Sequence, residues 1–202
     1  MMFDQLKDLQ TVEKTIAALT ANGIIAYSVE TGEGAKKKAL ELIPKGAEVM
    51  TMSSVTLDTI CLAQELNESG KFNSVRNKLI SMNPETQRGE MQKIGSAPEW
   101  AIGSVHAVTE NGEVLVASNT GSQLAAYAFG AQHVIWIIGS HKIVKNKDEA
   151  LKRIYEYALP LENERAKKAY GNGSNVSKLL MINKETYPHR LTIVFVNEKL
   201  GF

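Results

Sequence analysis

Apolar positions recur with two different periods along the first seventy residues. Within residues 2–21, Phe3, Leu6, Leu9, Val12, Ile16 and Leu19 return every three or four positions, the spacing of one helix face, and Asn22-Gly23 supplies a stop. Residues 24–29 form a short apolar run that predicts a strand. Thr31-Gly32-Glu33-Gly34 opens a helix that runs through Ile43 and ends at Pro44-Lys45-Gly46, and residues 48–52 predict a second strand. That strand empties into Ser53-Ser54-Val55-Thr56-Leu57-Asp58, and a helix follows to Glu68. Cys61 sits in this helix among Leu57, Ile60 and Leu62 and reads as a small buried hydrophobe.

Residues 71–99 are less regular. Residues 72–80 fit a strand or a loop, and residues 84–93 a helix led by Asn83 as its cap. From Trp100 the alternation of Ile102, Ser104, His106 and Val108 predicts a strand. Asn111-Gly112 favours a tight hairpin turn, and residues 114–117 return as the second strand. Residues 118–122 form a small polar loop, 123–129 a short helix, and 133–139 a buried strand. Residues 147–157 predict a helix with Ala150, Leu151, Ile154, Tyr155 and Ala158 on one face and Glu149 paired with Arg153. Leu159-Pro160-Leu161 ends or kinks it, and the charged run to Lys168 resumes as a solvated helix. Residues 170–174 are a loop, and 178–182 and 191–196 are closing strands around Tyr187-Pro188-His189. Alternating helices and strands predict an α/β fold, a mostly parallel sheet flanked by helices, with an antiparallel hairpin near residues 100–117. The expected organisation is one domain over residues 1–202, with the N-terminal helix of residues 1–22 packing on it.

Composition narrows the function classes. A chain of 202 residues with 44% hydrophobic positions builds one ordinary core. A net charge of +1, with both signs interspersed, carries no nucleic-acid footprint. One cysteine permits neither an internal disulfide nor an iron–sulfur cluster ligated by this chain alone. The charged N-terminal run lacks the apolar centre of a leader peptide, and no apolar run reaches the ~20 residues of a membrane span. The expectation is a cytoplasmic protein with no membrane partner, no cofactor of its own, and a homodimer left open.

Candidate chemistry gathers at strand ends. Ser53, Ser54 and Thr56 follow one strand, and Asn119, Thr120, Gly121 and Ser122 follow another. In a parallel sheet, ligands lie beyond the carboxyl ends of the strands, so the two loops would converge to hold a carboxylate or a phosphate ester. As structural residues, Ser53 and Thr120 would only cap helices and Gly121 relieve a turn. Lys142, after the strand of residues 133–139, would offer a positive charge. His106 is an acid/base candidate with Glu110 as its partner across the turn, although a strand histidine is more often structural. His133, His141 and His189 stand apart without metal-ligand spacing, so no metal site is expected. Arg76, Lys78 and Arg88 read as solvated charge, with Arg88 the one suited to clamp a carboxylate.

Four segments also carry a resemblance. They are Ala107-Val108-Thr109-Glu110-Asn111-Gly112, the run from Val116 to Leu124 (VASNTGSQL), His141-Lys142-Ile143-Val144 before a long helix, and Val196-Asn197-Glu198-Lys199-Leu200-Gly201-Phe202. From about Thr11 to Phe202 the chain resembles the lactate-utilisation (LUD) domain family. The resemblance implies the fold shared by sugar-phosphate isomerases, coenzyme A transferases and formyltetrahydrofolate cyclo-ligase. It also implies a role in using lactate or a related carboxylate, beside separate iron–sulfur proteins that oxidise lactate. More distantly, residues 104–114 resemble a run shared by ribose-1-phosphate isomerases and the regulatory subunits of translation initiation factor 2B. His106 stands where the isomerases place a catalytic aspartate. Glu110-Asn111-Gly112 is similar to the coenzyme A transferase signature whose glutamate is the nucleophile, with Thr109 in place of its serine. Three functions follow: binding of a small anion in support of carboxylate oxidation, a stand-alone isomerase or acyl/phosphosugar enzyme using His106 or Glu110, and a non-catalytic ligand sensor or assembly subunit.

Overall fold

A computed structural model describes residues 3–202. The first helix, α1 (Leu9–Ala21), starts later than its apolar spacing predicts. Asp8 has extended backbone, and its carboxylate accepts the Thr11 N–H at 2.8 Å, which fixes the start. Residues 3–8 lie outside the helix, and Met2 lies outside the described residues. Phe3 is still buried, but against the Tyr157 ring rather than along the α1 face.

Next come β1 (Ile25–Val29), α2 (Gly32–Leu42) capped by Thr31, β2 (Glu48–Thr51), α3 (Val55–Thr59) capped by Ser54, and α4 (Leu62–Glu68). The single helix expected after β2 is thus two. Cys61 joins them in a left-handed conformation (φ 53°) and is exposed, while Leu57 and Leu62 on either side turn into the core. The less regular region resolves into β3 (Asn73–Ser74), α5 (Val75–Ser81) and α6 (Arg88–Ser96). Asn83 does not cap a helix at residue 84. Its side chain accepts the Glu85 N–H at 2.8 Å, and the Gln87 side chain accepts the Asn83 N–H at 2.8 Å, so residues 83–87 close a turn before α6.

The expected strand through residues 102–108 is split between two sheets. β4 (Trp100–Gly103) belongs to the large sheet and β5 (Ala107–Thr109) to a small one, so the chain crosses between layers at residues 104–106. The hairpin consists of β5 and β6 (Val114–Ser118), with Ala107 opposite Leu115. Next come α7 (Ser122–Ala125), which runs into a π-turn (Ala126–Gly130), β7 (His133–Gly139), a 3-10 turn (Ser140–Lys142) and β8 (Ile143–Val144). A second π-turn (Ile154–Ala158) joins α8 (Lys147–Arg153) to α9 (Leu159–Tyr170), and β9 (Lys178–Ile182) and β10 (Leu191–Val196) close the fold. Pro160 does not end the helical run. The wider π-turn, closed by the Leu159 N–H on the Ile154 carbonyl, lets the chain continue past it. The buried face of this stretch runs through Ala150, Arg153, Ile154 and Tyr157, and Tyr155 is 51% exposed.

The large sheet has the order β1-β10-β7-β4-β2-β3 with every pairing parallel. The small sheet, β8-β5-β6-β9, is mixed. β7 and β10 are buried along almost their whole length, as a central parallel strand covered on both faces requires. Ala35, Ala39, Leu57 and Leu66 of the helices cover one face of the large sheet. Its other face meets α1 and the small sheet through Leu19, Val108, Val116, Trp136 and Phe195. Ala150, Ile154 and Tyr157 cover the far side of the small sheet against Leu115 and Ala117. Among the described residues no helix is long and apolar enough to cross a membrane.

Candidate functional site

A cavity of about 420 Å³ opens where the two sheets meet. Both small polar loops reach it. Ser53, Ser54 and Thr56 after β2 and Asn119, Thr120 and Ser122 after β6 all line it, together with Ser104 and His106 of the crossover and Lys142 after β7. Local bonds account for the loop shapes. Arg76 donates to the Ser53 hydroxyl at 3.2 Å and to the Thr51 carbonyl at 2.8 Å, so this arginine, read from sequence as solvated, holds the first loop. In the second loop the Ser118 hydroxyl accepts the Gly121 N–H at 2.9 Å, and Asn119 accepts from Ser177 at 3.0 Å. Gly121 itself does not line the cavity. Its φ of +85° makes the turn into α7.

The cavity floor holds a buried amine. Lys142 is 2% exposed, with Nζ 3.1 Å from Ser104 Oγ and 3.4 Å from Thr56 Oγ1. Among the described residues no carboxylate pairs with it. Burial, reinforced by the Arg153 guanidinium, holds its amine well below the usual lysine range. Arg153 is fully buried and not paired with Glu149, whose carboxylate accepts the Lys145 N–H at 3.0 Å instead. Arg153 donates Nη1 to the His106 carbonyl and lies 5.0 Å from the Tyr157 ring, while Nε and Nη2 have no hydrogen-bond partner. His141 is 1% exposed, and neither ring nitrogen is hydrogen-bonded.

His106 is a neutral imidazole. Burial, then Lys142 and Arg153, push its pKa down to about 3. Its Nδ1 accepts the Ala117 N–H at 3.1 Å, which leaves the hydrogen on Nε2. The ring is therefore suited to donate a hydrogen bond, not to act as a base near neutral pH. Glu110, its expected partner, lies outside the cavity. Its carboxylate pairs with Lys14 at 2.7 Å, and its N–H donates to the Val144 carbonyl at 2.8 Å. Among the described residues no group of three His, Cys, Asp or Glu could hold a metal.

Sequence reasoning missed the outer wall. Arg165 and Glu162 of α9, paired through two bonds of 2.6 and 2.7 Å, line the mouth with Tyr170 and Phe202. It also missed Arg153, although a signal exists. Arg153 stands three residues after Ala150 and four before Tyr157, within an apolar stripe.

Comparison with known proteins agrees with this architecture. The sequence profile of the LUD domain matches residues 12–196. A solved DUF162 family protein from Deinococcus radiodurans is 12% identical, with 96% of this chain and 100% of that chain covered at a TM-score of 0.58, a likeness of fold alone. The structure of eIF2B beta from Chaetomium thermophilum is 16% identical, with 58% of this chain and 44% of that one covered at a TM-score of 0.39. None of the curated proteins matches the chain.

Proposed function

The chain belongs to the LUD domain family, a family associated with lactate utilisation, and we propose that it binds a small carboxylate in the cavity beside Lys142. On this reading it serves the use of lactate or a related carboxylate in company with separate iron–sulfur redox proteins. One cysteine leaves this chain unable to ligate a cluster alone, so electrons would pass to another protein. The carrying observation is that Lys142 is buried at the cavity without a carboxylate partner. A desolvated cation with no counter-charge is costly to hold. That cost favours the uncharged amine, which donates to an entering anion while the nearby guanidinium of Arg153 attracts it and the hydroxyls of Ser53, Ser54 and Thr120 offer donors at the rim. Glu110 has no part in this site.

Thermal-shift titration with L-lactate, pyruvate, acetate and inorganic phosphate tests the proposal. A ligand at a hundred times its Kd stabilises the fold by about 2.7 kcal/mol. In a chain of this size that raises Tm by roughly 5–10 °C. The rise is expected for a carboxylate and lost in Lys142→Met. No shift with any of these anions refutes the proposal.

A further inference from the structure

Among the described residues three lysine or arginine side chains are strongly buried, Lys142, Arg153 and Arg190, and two of them, Arg190 and Lys142, have opposite surroundings. Arg190 is 6% exposed and saturated: it donates to the Ala126, Tyr127 and Ala131 carbonyls at 2.9–3.0 Å and to the Glu185 carboxylate at 2.8 Å. That is how this fold satisfies a structural cation. Among the described residues Lys142 meets no carbonyl and no carboxylate, only the Ser104 and Thr56 hydroxyls. The Thr56 hydroxyl has the Leu200 carbonyl as its own acceptor at 3.2 Å, and Ser104 Oγ lies 3.3 Å from Thr56 Oγ1. An amine and two hydroxyls thus form a compact triangle at the cavity floor, a poor cage for an ammonium ion and a good one for a free amine.

From this triangle we infer that Lys142 is a nucleophile that captures the carbonyl carbon of a 2-oxo acid as an imine. The inference rests on the proposed carboxylate site and names its substrate class more narrowly. Lysines become nucleophilic when desolvated or set beside another cation, and Lys142 is both, with Arg153 as the neighbour that disfavours its protonation. Arg153 keeps its own charge and continues to attract the substrate carboxylate when Lys142 is neutral. His106, with its hydrogen on Nε2, is the donor that polarises the carbonyl oxygen.

The step balances without any outside reagent but water and a proton. The Nζ lone pair forms a bond to the carbonyl carbon, and Ser104, 3.1 Å from Nζ, relays a proton from nitrogen to the former carbonyl oxygen. The carbinolamine then loses that oxygen as water as the carbon–nitrogen double bond forms, and one proton from solvent makes the iminium. Hydrolysis reverses each bond change. L-Lactate, which has no carbonyl, fits the same anion site and cannot form the adduct.

Borohydride trapping reads this directly. The full chain is incubated with pyruvate at pH 7.4, reduced with sodium borohydride, and examined by intact mass and peptide mapping. The expected result is one reduced pyruvate adduct per chain, on the peptide that contains Lys142 and at least about tenfold above any other lysine. A lysine of ordinary pKa is neutral in only about one molecule in a thousand at this pH. The wild-type peptide map decides the matter even if Lys142→Met fails to fold. A folded Lys142→Met loses the adduct, and excess L-lactate suppresses it in the wild type. If pyruvate and L-lactate both raise Tm and no adduct forms on Lys142, the nucleophile is refuted and the carboxylate site stands. If neither raises Tm and no adduct forms, both fall.

Discussion

Acidification should destabilise this protein through His141, a residue outside the cavity lining. Its ring is 1% exposed and faces the positive charges of Lys142, Arg153 and Lys199, with the Gly201 backbone as the one opposing influence. Burial first, then those cations, lowers its pKa from 6.5 to about 3. The folded pKa lies below the unfolded one, so between about pH 3 and 6.5 the unfolded chain binds the extra proton. Stability therefore rises with pH across that window and is lost as pH falls through it. The limiting slope is about 1.4 kcal/mol per pH unit for one proton, so pH 6.5 to 4 removes about 3 kcal/mol through His141. His106, shifted in the same direction and to a similar value, steepens the fall. Lys142 acts with the same sign at higher pH: its pKa is lowered in the folded state, so stability keeps rising towards pH 10.5. Set against a typical total of about 5–15 kcal/mol, this loss is a large share of the stability. His141→Met removes the titrating ring and its unpartnered nitrogens. At pH 7 the variant should equal or exceed the wild type in stability. Urea unfolding followed by tryptophan fluorescence at pH 7, 6, 5 and 4 should show its pH slope shallower by about 1.4 kcal/mol per unit. Parallel pH profiles for the two proteins would refute the reasoning.

Two substitutions test the site's boundaries. Glu110→Gln should leave ligand-induced Tm shifts unchanged and cost at most about 1 kcal/mol in urea unfolding, because it removes only a surface pair with Lys14; lost binding would put Glu110 back in the site. Gly103→Ala should destabilise by more than about 2 kcal/mol and weaken binding, because a Cβ there collides with the Tyr127 hydroxyl beside the cavity; wild-type unfolding and binding would show that Tyr127 moves aside freely.

The alternation of helices with apolar strands was legible because parallel strands buried on both faces are continuous apolar runs, as in β7 and β10. The two hydroxyl-rich loops do line one cavity, but not on one sheet's rim as expected: β2 ends in the large sheet and β6 in the small mixed one, and their loops come together because the two layers abut there. The π-turn was not. The buried face around it runs through Ala150, Arg153, Ile154 and Tyr157 at ordinary helical spacing, but a charge at position 153 read as a surface partner for Glu149 and the aromatic Tyr155 as core, so the face was drawn one position off. His106 was placed on a strand because a period of two continued unbroken through residues where the chain leaves one sheet for another. Cys61 looked buried by its neighbours, but its left-handed backbone turns it outward.

The crossover at residues 104–106 does more than carry Ser104 and His106. Ser104 follows the last residue of the large sheet's β4, and His106 precedes the first residue of the small sheet's β5. A molecule that touches both fastens one hydrogen-bonded layer to the other across the peptides that link them. Occupancy would then slow amide exchange throughout the small sheet, far from any atom in contact with the guest, and an empty cavity would leave that layer the first to loosen.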